Sequence, residues 1–388
     1  MDFSFSAEQQ AIKDAIERIC SRFGDDYWLK KDKEGGFPHD FHRAFAADGW
    51  LGICIPQEYG GAGLGVTEAA IMMQAIAESG AGLSGASALH MNIFGLNPVA
   101  VFGTDEQKKR MLPPMVAGDD KACFAVTEPN VGLDTLKLKT RAVRQGDRYQ
   151  LSGQKIWIST AQVANKMLIL ARTTPLEEVK RRTEGLSLFY TELDRSHVDV
   201  REIPKMGRSA VDSNELFIDQ LPVPVADRIG EEGRGFEYIL HGMNPERILI
   251  GAEAVGIGRA AVRKAAAYAK ERTVFDRPIG QNQAIQHPLA ACWMQLEAAS
   301  LMAFKGATLY DAGKSCAIEA NAAKYLCGEA AFKACETAVM THGGMGYAKE
   351  FHVERYLRES LITRIAPVTP HLILSFIAEK ALDLPKSY

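Results

Sequence analysis

Two stretches carry the residue types most suited to chemistry: residues 123–134, reading C-F-A-V-T-E-P-N-V-G-L-D, and residues 155–160, reading K-I-W-I-S-T. The first is a short apolar run that breaks at Pro129 and passes through Gly132. An extended segment that ends in a sharp turn can hold backbone N–H and C=O groups, with the Thr127 hydroxyl, in one plane. A flat heterocycle with donors and acceptors along its edge takes that kind of partner. Trp157 and Ser159 add an aromatic face and a second hydroxyl. Taken alone, the same residues also describe a strand, a turn and a buried tryptophan.

The elements around these stretches change type twice along the chain. Ser6 and Gln9 have the spacing of a capping box, and Ile12, Ile16, Cys20 and Phe23 follow at helical intervals. Further helices are expected over 68–78, opened by Thr67 and ended by Gly80, and over about 106–117. Between them G-G-A-G-L-G at 60–65 follows no strand and lacks both GK[ST] and GxGxxG, so it is expected to be an ordinary flexible connection. From 140 onwards short β-rich runs (140–143, 149–152, 167–171, 186–191, 215–218) alternate with Gly, Asp and Pro. They predict a compact antiparallel domain ending near Pro224. Helical periodicity returns at Phe236, Leu240 and Met243, and long Ala- and Leu-rich segments fill 248–272, 284–311 and 316–340. Helices of that length fit a bundle. The expected fold is α+β, in three domains: helical over 1–120, β over 121–229 and four-helix-bundle-like over 230–388.

Composition narrows the function. The 388 residues are 47% hydrophobic, enough for a large core and more than one domain. A net charge of −3, from 45 basic and 48 acidic residues, argues against a general nucleic-acid binder. Seven cysteines form no CxxC pair and sit mostly among apolar neighbours, so no metal site is expected and a reducing, cytoplasmic or matrix-like compartment is. No apolar run reaches the ~18–20 residues of a membrane span. The opening M-D-F-S-F-S has neither a basic start nor an apolar signal core, and nothing in it marks export or import.

The V-T-E-P run, followed by G-x-D and then by W-I-S, resembles the flavin-binding middle domain of acyl-CoA dehydrogenases. The resemblance extends over nearly the whole chain. It includes K-M-G at 205–207, G-E-E-G-R-G-F at 230–236, N-P-E-R at 244–247, E-R-T-V-F at 271–275 with Gln283, G-G-M-G-Y at 343–347, then Glu354, Arg355 and Arg358. It implies that Phe124, Val126 and Thr127 meet the edge of a flavin ring, with Trp157 and Ser159 on its N5 side. The ADP half of FAD would meet Arg272, Phe275, Gln283, Met340 and the Gly343–Gly344 turn, partly across a subunit boundary, with Thr369 and His371 as further contacts. A forked guanidinium at Arg272 suits a pyrophosphate, although a cation ending a helix is also an ordinary dipole partner. A Rossmann dinucleotide fold is not supported, because no strand leads into G-x-G-x-x-G.

The implied reaction is α,β-dehydrogenation of an acyl-CoA thioester, in a homo-oligomer (a tetramer built as a dimer of dimers) that passes electrons to an electron-transfer flavoprotein. Many members place the base on a late E-G-T loop, but the aligned stretch here is I-A-P-V-T, with Pro367 at the Glu position. Isovaleryl- and long-chain-type members use an earlier L-D-x-E-R motif, which here reads M-N-P-E-R and makes Glu246 the candidate base. Pro245 would sit at a helix start or force a kink, leaving Glu246 near a helix N-terminus. The substrate-facing set would be Leu133, Asn244, Arg247, Pro367 and Val368. Pro367 has no N–H for the thioester carbonyl, a donor worth about 3 kcal/mol in such sites, so Val368 or altered chemistry must replace it. The alternatives on the same fold are an oxidase-like or non-dehydrogenating thioester reaction, or an inactive flavin-binding subunit.

Overall fold

The computed structural model describes residues 3–387. Seven helices open the chain: α1 (Ala7–Cys20), α2 (Asp25–Glu34), α3 (His39–Ala47), α4 (Val66–Ile76), α5 (Gly82–Phe94), α6 (Asn97–Phe102) and α7 (Asp105–Val116). The capping box at Ser6 and Gln9 forms as its spacing predicts, and Thr104 and Gln107 form a second one before α7. The α4 helix begins one residue before Thr67. Its terminal donors are taken by a distant carboxylate: Asp311 accepts from Val66 N and Thr67 N, each at 2.8 Å, and from Thr67 Oγ1 at 2.6 Å. Helix α4 stops at Ile76, and a five-residue π turn (Ala77–Ala81) carries the chain to the expected glycine break.

The glycine-rich stretch at 60–65 is not a loose connection. Ala62, Gly63 and Leu64 donate to Gly52, Ile55 and Ile53 oxygens at 2.9–3.0 Å, and a Cβ on Gly61 would lie 2.0 Å from Ile55 O. These glycines permit a close backbone approach.

Eight strands follow: β1 (Ala122–Ala125), β2 (Arg141–Gln145), β3 (Arg148–Ser159), β4 (Lys166–Arg172), β5 (Leu186–Glu192), β6 (Val198–Glu202), β7 (Ser213–Pro224) and β8 (Arg228–Ile229). They form one sheet in the order β6-β7-β3-β2-β4-β5-β8, with β1 beside β4. The pairing is mainly antiparallel, but β4 runs parallel to both β1 and β2, Phe124 lying opposite Leu168 and Arg141 opposite Arg172. A buried lysine explains why the two motif stretches belong together. Lys155 Nζ reaches from β3 to Val126 O (3.0 Å), Glu128 Oε1 (3.0 Å) and Leu170 O (2.8 Å). Glu128 also accepts from Lys139 N and Thr140 N.

The last third holds α8 (Gly235–His241), α9 (Met243–Glu271), a hairpin of β9 (Thr273–Val274) and β10 (Arg277–Pro278), α10 (Gln283–Asp311), α11 (Ala317–His342), α12 (Val353–Ser360), α13 (Ile362–Ile365) and α14 (Pro370–Ala381). The periodicity read across Phe236, Leu240 and Met243 is two helices that meet at Gly242. Helices α9, α10 and α11 are the long members, and α4 from the first third packs against α9 and α10 as a fourth. A Cβ on Gly256 would lie 2.4 Å from Gln74 O, so α9 and α4 lie close together. Among the described residues, no single helix is long and apolar enough to cross a membrane.

Candidate active site

The proposed base stands at the start of α9. Pro245 is the third residue of that helix, where its missing N–H costs no ladder bond, and Glu246 follows in the first turn with its N–H on Gly242 O (3.1 Å). Glu246 is buried. One of its oxygens, Oε2, meets Nε2 of His90, a residue on α5. The other ring nitrogen of His90, Nδ1, lies 2.6 Å from Oε1 of Glu253, two turns further along α9 and fully sealed from solvent. Burial alone would lower the His90 pKa, but the two carboxylates overturn that effect and hold it well above the ordinary histidine value.

Beside Glu246, Arg247 donates to Asn244 Oδ1 at 3.1 Å, while its Nε is buried without a partner among the described residues. Lys324 on α11 lies under the late loop and donates to Arg364 O (3.1 Å) and Val368 O (2.7 Å). Its burial, with help from the charges of Arg247 and Arg364, pushes its pKa down to about 8. Lys324 therefore ties the Pro367–Val368 segment to the neighbourhood of Arg247. The Ala366–Pro367 peptide is cis.

On the sheet, Phe124 and Thr127 are half-buried, Val126 is buried, and Thr127 O accepts the Ile156 N–H at 3.0 Å. Trp157 is not a buried tryptophan: it is 57% exposed, at a register shift of the β3–β7 ladder, with φ of 61°. A bulky residue held in the left-handed region marks local strain, and such strain concentrates at functional sites. Ser159 lies two residues on, half-buried, and Leu133 is exposed. A third group lies at the ends of the long helices. Arg272, Phe275 (93% exposed, φ 52°), Gln283, Met340, Gly343 and Gly344 all face outward, and among the described residues Arg272 meets no carboxylate. Thr369 caps α14 by accepting from Leu372 N at 3.4 Å, and His371 is exposed in that helix's first turn.

His90 and Glu253 escaped the sequence reading. Helix α5 (G-L-S-G-A-S-A-L-H-M-N-I-F) has small or apolar residues on every side, so no polar stripe announces a helix. Glu253 has a signal: it is an acid set within the Ala-, Gly- and Val-rich middle of α9, seven positions after Glu246.

Models of the acyl-CoA dehydrogenase family match all three parts of the chain: the N-terminal domain over residues 6–119, the middle domain over 123–221 and the C-terminal domain over 233–382. The chain belongs to the acyl-CoA dehydrogenase family. Its members are oxidoreductases of CH–CH bonds, and the family depends on FAD. The acyl-CoA dehydrogenase FadE12 of Mycobacterium tuberculosis is 36% identical over 394 residues, covering 100% of both chains. The structure of a glutaryl-coenzyme A dehydrogenase with glutaryl-CoA superposes with a TM-score of 0.94, at 29% identity over 100% of this chain and 98% of that one. The FAD complex of PigA gives 0.92, at 26% identity over 98% and 99%.

Proposed function

We propose that this acyl-CoA dehydrogenase family member removes the α-proton of an acyl-CoA thioester with Glu246 and desaturates its α,β bond. The observation that carries this reading is the position of Glu246, the buried carboxylate at the start of α9, beside Arg247 and the Lys324-tethered late loop. A carboxylate withdrawn from water is a more effective base for the weakly acidic α-proton. With Pro367 lacking an N–H, the Val368 amide is the donor assigned to the thioester oxygen. Asn244, Arg247 and Leu133 complete the substrate-facing set.

The residues present suit FAD by their chemistry. The open face of Trp157, the hydroxyls of Thr127 and Ser159 and the amides near Phe124 and Val126 match a flat ring with a polar edge. When bound, FAD supplies the acceptor for the β-hydride. Arg272, Phe275, Gln283, Met340 and the Gly343–Gly344 turn, with Thr369 and His371, are assigned to its ADP half. Their exposure, together with that of Tyr347 (89%) and Trp293 (57%), supports a second copy of the chain covering this end, and a tetramer is the assembly we assign. An electron-transfer flavoprotein is the proposed acceptor, and the cytoplasm the proposed compartment.

The test is anaerobic bleaching of the purified yellow protein by a panel of acyl-CoA thioesters. Glu246→Gln should keep FAD and bind the thioester, while flavin reduction slows by about 10²–10⁴-fold. Near-normal reduction in that variant would remove Glu246 as the base.

A further inference from the structure

The base is one corner of a buried line of three titratable groups, and the other two have no part in the reaction as described so far. His90 points one ring nitrogen at each of two carboxylates: Nδ1 at Glu253 and Nε2 at Glu246. A neutral imidazole carries one N–H. Its second nitrogen would then set a lone pair against a carboxylate oxygen, whereas a proton on both nitrogens lets each donate, in keeping with the raised His90 pKa. The two carboxylates differ. Glu253 has no exposed side-chain surface and one buried oxygen, Oε2, without a partner among the described residues, while Glu246 keeps 11% of its side chain open. Glu253 is thus the fixed end of the line and Glu246 the working end.

The charged surroundings agree with that polarity. From the loop before β7, Arg208 donates to Ser87 Oγ at 2.9 Å, one turn ahead of His90 on α5, and its charge acts on Glu359 of α12 first, then on Glu253 and Asp212. On α9 itself, Arg247 stands beside Glu246. Around the His90 line, two cations and an imidazolium therefore face Glu246 and Glu253, with Glu359 and Asp212 drawing on Arg208 as well.

We propose that His90, gripped from behind by Glu253, is the positioning residue of the base: its Nε2–H holds Glu246 Oε2 and leaves Oε1 as the single oxygen that receives the α-proton. This rests on the proposed dehydrogenation. In the step, the α C–H bond breaks, its electron pair enters the forming double bond, the proton ends on Glu246 Oε1 and the β-hydride leaves to the flavin. His90 keeps both of its protons throughout.

Two measurements test the proposal separately from the reaction. Neutron diffraction from a deuterated crystal of the wild-type holoenzyme at pH 8 should find deuterons on both ring nitrogens of His90. One bare nitrogen there would overturn the clamp, whatever the enzyme turns over. The second measurement is the pH profile of flavin reduction. His90→Gln removes a positive charge bonded to the base, so the acid limb of flavin reduction should move up by roughly one pH unit or more. The rate at the optimum should fall roughly 10–100-fold from lost alignment. Glu253→Gln, which removes no ring, should move the limb the same way by less, and it stands in if His90→Gln fails to fold. A lowered rate with an unmoved acid limb in both variants would make His90 a packing residue only. If no acyl-CoA reduces the wild-type flavin, the dehydrogenase reading fails, and the neutron result still decides the clamp.

Discussion

The Lys155–Glu128 cluster of the β domain and the His90 cluster between α5 and α9 are both buried, and they differ in how completely they are satisfied. In the β domain, Lys155 spends its three protons on Val126 O, Glu128 and Leu170 O, and Glu128 takes two further backbone amides. Burial alone would raise the Glu128 pKa, but Lys155, Thr140 and the amides hold it below its ordinary range. Lys155 itself is pushed down to about 8 by burial, against the pull of Glu128. Between α5 and α9, by contrast, Glu253 keeps an unpartnered oxygen and Glu246 has one oxygen engaged by a side chain. A closed network rigidifies its surroundings, while an open one keeps an acceptor in reserve. Partner count, more than burial, separates the scaffold cluster from the working one.

The comparison is most easily broken at Lys155. Lys155→Met leaves Glu128 charged and buried, so the denaturant midpoint should fall by the equivalent of about 3–5 kcal/mol. A loss below about 1 kcal/mol would show that the scaffold cluster is not what joins the two motif stretches.

Histidines sharpen the contrast next, because they titrate in opposite senses. Burial pulls His42 down to about 4, and burial together with Arg355 does the same for His352. Unfolded histidine binds its proton near 6.5, so as pH falls from about 6.5 towards 4 the unfolded chain gains protons that the fold refuses. Each should remove on the order of 1–3 kcal/mol over that window, and His42→Asn should flatten that slope in pH-dependent unfolding. His90, with a raised pKa, contributes stability that is complete below about 6.5 and lost only as pH rises through its folded value.

A smaller effect is expected at Asp311, a carboxylate satisfied by three donors at the start of α4 yet partly exposed. Asp311→Ala should lower stability by about 1–2 kcal/mol in chemical denaturation. At the exposed end of the series, Lys30→Ala should leave the unfolding midpoint unchanged, since its pairing with Glu34 is fully solvated in character, with both side chains mostly open.

The parts of the fold that could be read in advance are those with a period or a punctuating residue. The capping box before α1, the β-rich runs and the three long helices each present a local signal that packing does not reverse. The middle sheet's parallel β1–β4 pair had none, because pairing direction depends on where the chain returns and not on residue type. Helix α5 failed for the opposite reason: buried all round, it lacks the polar face that a helical pattern needs. That one omission removed His90 from the candidate site. Glycines 60–65 were misjudged because close packing and freedom both favour glycine, and only the Ile55 carbonyl 2.0 Å from a would-be Cβ tells them apart.

The amino end of α5 is finished by a residue from near the other end of the chain. Glu359 on α12 accepts from Leu83 N (2.7 Å), Ser84 N (3.1 Å) and Ser84 Oγ (2.6 Å), and is itself bound by Arg355. Leu83 and Glu359 are 276 residues apart. At the ~5–20 residues per second of protein synthesis, roughly 15–55 s separate the emergence of these partners. The ribosome therefore releases the β domain with all its ladders available, while the His90-bearing helix still lacks the carboxylate that caps it. The three-domain order of the gene is therefore not the order of completion: α5, in the first domain, waits for a carboxylate near the end of the last.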